Sequence, residues 1–219
     1  MSDYNDWLET IEFTTDLNGG GPLLAPEFAK VLKNKKFETI FEWCSGPAWI
    51  GMWLLEQKIG KTLVTGDINE KYVDFVKKSA EKHNYDVRSY VSDNMKDIPR
   101  YEKFDLIVSN PPNYCDIQRS HPFGYLREDL RPSDIGWEVH KGFYKNINNY
   151  MHDDSVIFIS EVEIYNKEVY FDGELYDNRT EEPIITFERM TKDNNLKITN
   201  ITPYLVEATK CYILEIRRI

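Results

Sequence analysis

What most constrains this chain is an alternation: short, β-prone apolar runs that stop at Gly, Pro or Asp, followed by segments whose apolar residues recur at helical spacing. Thr39-Ile40-Phe41-Glu42-Trp43-Cys44 stops at Ser45-Gly46-Pro47, and Ile50, Trp53 and Leu54 then recur helically between Ala48 and Gln57. Lys61 to Thr65 repeats the strand before a turn at Gly66, and Asn69 offers an N-cap to a helix with Tyr72, Phe75, Val76 and Ala80 on one face. Tyr85 to Val91 predicts a third strand, and Phe104 to Ser109 a fourth that ends at Pro111-Pro112. Val139 to Met151 predicts a helix and Ser155 to Ser160 another strand. Strands separated by helices pair in parallel through right-handed crossovers, in a sheet covered on both faces. The expected class is therefore α/β: a doubly wound, mostly parallel sheet with helices on both faces.

The ends depart from this rhythm. Pro22 to Asn34 predicts a helix with Leu23, Leu24, Phe28 and Val31 turned inward, preceded by the hinge Asn18-Gly19-Gly20-Gly21, and this helix is expected to fold back over the site as a lid. Ile164 to Pro183 is acidic and Tyr-rich and reads as a surface excursion before a helix near Ile184 to Met190; Leu196 to Tyr204 and Lys210 to Ile216 read as a closing antiparallel hairpin. The expected organisation is an N-terminal extension and hinge over residues 1–21 and one domain over 22–219, long enough for a single core.

Charge narrows the partners. Lys and Arg number 27 against 37 Asp and Glu, a net charge of -10, so the average field repels phosphate backbones and a general nucleic-acid binder is disfavoured. No apolar run reaches the roughly 18 residues of a membrane span, and the N-terminus is acidic where a signal peptide is basic. A soluble, cytoplasmic protein is expected. Cys44, Cys115 and Cys211 lie far apart with no CxxC and no His at metal spacing, so neither a disulfide framework nor a structural metal site is expected.

In a doubly wound sheet, ligands bind beyond the carboxyl ends of the strands, where strand order reverses. The chemistry-bearing residues fall at those ends: Glu42, Ser45 and Gly46 after the first strand, Asp67 and Ile68 after the second, Asp93 and Asn94 after the third, and Asn110-Pro111-Pro112-Asn113 after the fourth. Gly46 lets a ligand approach the backbone where helix amides point, and Asp67, about 20 residues on, can accept from both hydroxyls of a ribose. Turn chemistry and helix capping explain the same two residues without a ligand. In Asn110-Pro111-Pro112 the prolines restrain the chain, so that the Asn amide oxygen and the Pro111 carbonyl can grip the two hydrogens of an NH2 group; a rigid loop with a capping Asn is the structural alternative.

These motifs resemble a known family. Glu42-Trp43-Cys44-Ser45-Gly46, Thr65-Gly66-Asp67, Ser92-Asp93-Asn94 and Ser109-Asn110-Pro111-Pro112 resemble the four ordered motifs of class I S-adenosylmethionine-dependent methyltransferases, which have a Rossmann-like fold. The last is similar to the NPPY signature of amino-methyltransferases, as in the HemK/PrmC-like glutamine methyltransferases and the "small domain" RNA methyltransferases. Ser133-Asp134-Ile135-Gly136-Trp137 and Val156 to Glu161 resemble the downstream stretch of the HemK-like group. The resemblance covers roughly residues 20 to 162.

It implies S-adenosyl-L-methionine as cofactor, with S-adenosyl-L-homocysteine as product. Glu42, Ser45 and Gly46 would line its methionine end, Asp67 would bind ribose with Ile68 beside it, and Asp93 with Asn94 would hold the adenine amino group. Asn110 and the Pro111 carbonyl would hold the nitrogen to be methylated. The usual glycine-rich loop is reduced here to Gly46, with bulky Trp49 following, and the fourth signature position is Asn113, leaving Tyr114 to stack on the acceptor.

The expected reaction is methyl transfer to an amino or amide nitrogen of a small molecule, peptide or protein. The alternatives are a non-catalytic S-adenosylmethionine-binding module, or an RNA or DNA adenine or guanine N-methyltransferase. A nicotinamide-dependent oxidoreductase calls for a fuller G-x-G-x-x-G than is present. His121 and His140 are candidates for the acceptor pocket or for solvent and capping roles, and Arg119, Arg127 and Arg131 for an anion clamp or a solvated ion-paired loop.

Overall fold

A computed structural model describes residues 3–12, 21–113, 134, 137–162, 169–171, 174–177, 183–206 and 209–219. Two helices, α1 (Tyr4–Leu8) and α2 (Gly21–Val31), precede β1 (Phe37–Trp43), α3 (Trp49–Glu56), β2 (Gly60–Asp67), α4 (Glu70–His83), β3 (Asp86–Val91) and β4 (Phe104–Ser109). There follow α5 (Glu138–Ile147), β5 (Met151–Val162), β6 (Val169–Phe171), β7 (Glu174–Asp177), α6 (Pro183–Lys192), β8 (Leu196–Val206) and β9 (Thr209–Arg218).

The main sheet runs β3-β2-β1-β4-β5-β9-β8, parallel from β3 through β5 and antiparallel at β9 and β8, as the sequence predicts. Strand order reverses between β1 and β4. There the chain leaves in one direction to build β2 and β3 and returns in the other to build β4 and β5. Both central strands are apolar on consecutive residues because both faces are covered. Ile40, Leu63, Leu106 and Val108 pack with α2 and α3, whereas Phe41, Val64 and Ile107 pack with α5 and α6 residues such as Phe143 and Phe187.

One expectation is corrected. Helix α2 is a layer of the core, not a mobile lid: Leu24, Ala25, Phe28 and Leu32 are buried against α3, while Leu23, expected to face inward, is 55% exposed. Its Pro26 lacks the N–H that would bond the Pro22 carbonyl one turn back, and the hydroxyl of Tyr4 donates to that carbonyl instead. Helix α1 belongs to the same face. Trp7 packs its ring 5.0 Å from that of Trp53 and donates its indole N–H to the Tyr85 hydroxyl at 3.0 Å. Within the stretch expected as a surface excursion, β6 and β7 pair in a small antiparallel sheet. Among the described residues no helix is long and apolar enough to cross a membrane.

Candidate functional site

The turn from β1 to α3 places three residues in the left-handed region, Cys44 (φ 50°), Gly46 (φ 49°) and Ala48 (φ 60°). Such backbone persists where the surroundings over-determine it, and it concentrates at functional sites. A Cβ added to Gly46 would meet no atom within 4 Å, so the loop faces open space there. Ala48 has no side-chain oxygen to cap α3, and Glu42 does so from the strand: its Oε2 accepts the Gly51 amide at 2.6 Å. A Cβ at Gly51 would lie 2.7 Å from that oxygen, so glycine is what permits the approach. Burial pushes the Glu42 carboxyl up to about 8, against the pull of the Gly51 and Ile50 amides and with Asp67 adding to the rise.

Asp67 closes the other side of the loop. Its Oδ2 accepts the Gly46 amide at 2.7 Å and its Oδ1 the Asn69 amide at 2.9 Å. Burial raises its carboxyl above the ordinary value, and the nearby Asn69, Gly46 and Ile68 amides oppose the rise. Ser45, buried, donates its backbone N–H to the Gly66 carbonyl, which draws the loop against the end of β2. Next to it Ile68 leaves a large apolar side chain 46% exposed.

Beyond β3, Asp93 and Asn94 part company. Asp93 is exposed and pairs with Lys96 at 2.5 Å. Asn94 turns to α5, donating its side-chain N–H to the Val139 carbonyl at 2.8 Å, in a notch that a Cβ on Gly142 would fill, 2.6 Å from the Asn94 nitrogen. Its amide therefore fastens α5 to the sheet.

Beyond β4, the Ser109 hydroxyl donates to the Trp43 carbonyl at 2.5 Å, locking the two central strand ends together. Asn110 Oδ1 and the Pro111 carbonyl then converge on one NH2 group, that of Asn113, at 3.3 and 2.7 Å. Tyr114, His121, Arg119, Arg127 and Arg131 lie outside the described residues.

Sequence reasoning missed a buried ionic cluster beside this loop. His140 is fully buried, with Nδ1 2.6 Å from Asp134 Oδ2 and Nε2 2.9 Å from Glu161 Oε1. Asp134 also caps α5, accepting the Val139 and His140 amides at 2.8 and 2.9 Å. Ser109 on β4 faces Ile159 on β5, so Glu161 stands as far beyond that pair along β5 as Pro111 does along β4. Burial alone would lower the imidazole, but the Glu161 and Asp134 carboxylates outweigh it and raise it to about 9. His140 is thus an imidazolium held between two acids, neither a pocket wall nor a solvent residue. The available signal was the pair of stretches carrying Asp134 and Glu161.

Residues 17–121 match the methyltransferase small domain family. No curated protein matches the chain by sequence. Among solved structures, ribosomal protein L11 methylase from Lactobacillus delbrueckii subsp. bulgaricus superposes with a TM-score of 0.60 at 15% identity, over 92% of this chain and 80% of that one. TrmK from M. capricolum, solved with S-adenosyl-homocysteine, gives 0.58 at 13% identity, over 89% and 67%. The mitomycin 7-O-methyltransferase MmcR gives 0.61 at 13% identity, over 90% and 55%. At such identities the likeness is one of fold: a Rossmann-like sheet shared with methyltransferases of different acceptors.

Proposed function

We propose that the chain is a class I S-adenosylmethionine-dependent methyltransferase that acts on an amino or amide nitrogen of a small molecule or peptide. The observation that carries this reading is the convergence at the β1/β4 switch point. Gly46, tied to Asp67, faces open space on one side of it, and two oxygens bracket a single NH2 on the other. The match of residues 17–121 to the methyltransferase small domain family and the neighbour solved with S-adenosyl-homocysteine support S-adenosylmethionine as cofactor.

The residues fit such a group. Gly46 leaves open space where a side chain would stand, and Glu42 and Ser45 would take the methionine end. Asp67 offers about four acceptor sites, of which two hold backbone amides, so acceptor capacity would remain for the ribose hydroxyls. Half-exposed Ile68 would flank the adenine, and solvent-facing Asp93 would take its amino group.

When bound, the cofactor supplies an electrophilic methyl on a sulfonium. Asn110 Oδ1 and the Pro111 carbonyl take the two N–H groups of the acceptor, which aims its lone pair at that methyl. Held by these two oxygens, the nitrogen would gain the methyl that the cofactor supplies and release one proton to solvent. Positioning and exclusion of water carry the rate, so no general base is needed at the nitrogen. A net charge of -10 favours a peptide or small-molecule acceptor over nucleic acid.

One observation favours a second reading, a cofactor-binding module without turnover: the NH2 bracketed by Asn110 and Pro111 belongs to the protein itself. The test is incubation with methyl-labelled S-adenosylmethionine and a panel of amines, amides, peptides and RNA. Label on the nitrogen of an amide, amine or peptide is expected. Label on oxygen or on RNA contradicts the assigned acceptor, and label on nothing favours the module.

A further inference from the structure

The two oxygens assigned to the acceptor nitrogen already hold a carboxamide, and its owner is the residue that departs from the NPPY signature. Asn113 follows Pro111-Pro112 directly, and its side chain is buried with 8% exposure. Its Nδ2 donates to the Pro111 carbonyl at 2.7 Å and to Asn110 Oδ1 at 3.3 Å. These are the contacts a primary amide acceptor would make, supplied from two and three residues away in the same chain.

Resting on the methyltransferase reading, we propose that Asn113 is the gate of the acceptor site: its carboxamide NH2 occupies the Asn110–Pro111 cradle, and an acceptor enters only by displacing it. A tethered donor competes at high effective concentration, and the apparent affinity of any acceptor falls by the fraction of molecules in which the cradle is open. The gate also selects. A group bringing two N–H donors replaces Asn113 bond for bond, whereas a hydroxyl or a secondary amine leaves one buried oxygen unsatisfied, which is costly. Primary amides and amines are therefore admitted over alcohols. An aromatic at this position has no NH2 to place there, so the site of an NPPY sequence stands open where this one is closed.

The experiment uses the full chain saturated with S-adenosylhomocysteine and the probe acetyl-Gly-Gln-Gly-methylamide, which carries one primary amide. Asn113→Ala removes the occupant. Asn113→Asp keeps its size, but a carboxylate cannot donate and is repelled by the two oxygens. Both variants are expected to bind the probe about tenfold more tightly than wild type, or better, with unchanged affinity for S-adenosylhomocysteine. Equal probe affinity in all three proteins, or none in any, overturns the gate. Independently of any probe, the side-chain NH2 resonances of Asn113, identified by their loss in Asn113→Ala, should shift and exchange faster in Asn110→Ala. Unmoved resonances overturn the contact. Failure of wild type to bind S-adenosylhomocysteine is a separate result and counts against the methyltransferase reading, not against the occupancy that the resonances report.

Discussion

Asp67 and Gly46, 21 residues apart, are joined by a 2.7 Å hydrogen bond from the loop amide to the carboxylate. One side chain therefore shapes the β1–α3 turn beside the open space that Gly46 faces. Asp67→Asn keeps an acceptor oxygen but loses its charge, at a cost of about 1.5 to 3 kcal/mol for a hydrogen bond to a charged group, or about ten- to a hundredfold in S-adenosylhomocysteine affinity. Asp67→Ala should lower the melting temperature as well, because the loop loses its staple. A normally folded Asp67→Asn that binds as tightly as wild type would show that ribose is held elsewhere.

Glu42 carries a proton near neutral pH, with a buried carboxyl raised to about 8. Burial, with Glu42 nearby, likewise pushes the Tyr4 phenol upward. A folded value above the ordinary 4.5 means that stability is full below about 4.5 and is lost as pH rises through 8. Glu42→Gln should flatten that decline. If the methionine ammonium of the cofactor lands beside Glu42, binding at pH 7 should expel the proton. Titration in buffers of different ionisation enthalpy reads this directly: wild type should release a substantial fraction of a proton and Glu42→Gln none.

His140 works in the same direction over a higher window. Its imidazole, raised from 6.5 to about 9 by Glu161 and Asp134 despite full burial, stabilises the fold completely below 6.5, and that contribution disappears as pH rises through 9. His140→Gln strands two buried carboxylates and should cost about 3 to 5 kcal/mol at pH 7. Denaturant unfolding from pH 6 to 10 checks it: a His140→Gln curve parallel to wild type would mean that the imidazole is not the titrating group.

Asn110 is half-exposed at the sheet mouth, and truncating it opens no core cavity. Asn110→Ala should leave the melting temperature and S-adenosylhomocysteine affinity near wild type while methyl transfer falls by a factor on the order of a hundred. A collapsed melting temperature would instead assign Asn110 to the fold, and full turnover would remove it from the acceptor site.

Much of this was legible before any coordinates. The predicted fourth strand, Phe104 to Ser109, is β4 residue for residue, and Asn69 caps α4 by accepting the Lys71 amide. Local signals were enough there: a buried run ended by prolines, and a side-chain oxygen before an amphipathic stretch. Helix α2 was misjudged because its apolar stripe does not reveal what covers it; only the packing of Phe28 and Leu32 shows a core layer. Helix α1 is not legible because its five residues are too few to show a periodicity, and Trp7 is buried largely through tertiary contact with Trp53 and Tyr85. At the site, the positions of Gly46, Asp67 and Asn110 followed from strand ends. The partners of Asn94, His140 and Asn113 did not, since each is fixed by an element or turn whose geometry no spacing encodes.

The central claim is that S-adenosylmethionine fills the open space that Gly46 faces, beside Asp67. Calorimetric titration of the wild-type chain with S-adenosylhomocysteine and, separately, with NAD tests it most directly. Saturable binding of one S-adenosylhomocysteine per chain, weakened by Asp67→Asn, with no heat from NAD, is the predicted result. Binding of NAD in its place, or of neither ligand by folded protein, would contradict it.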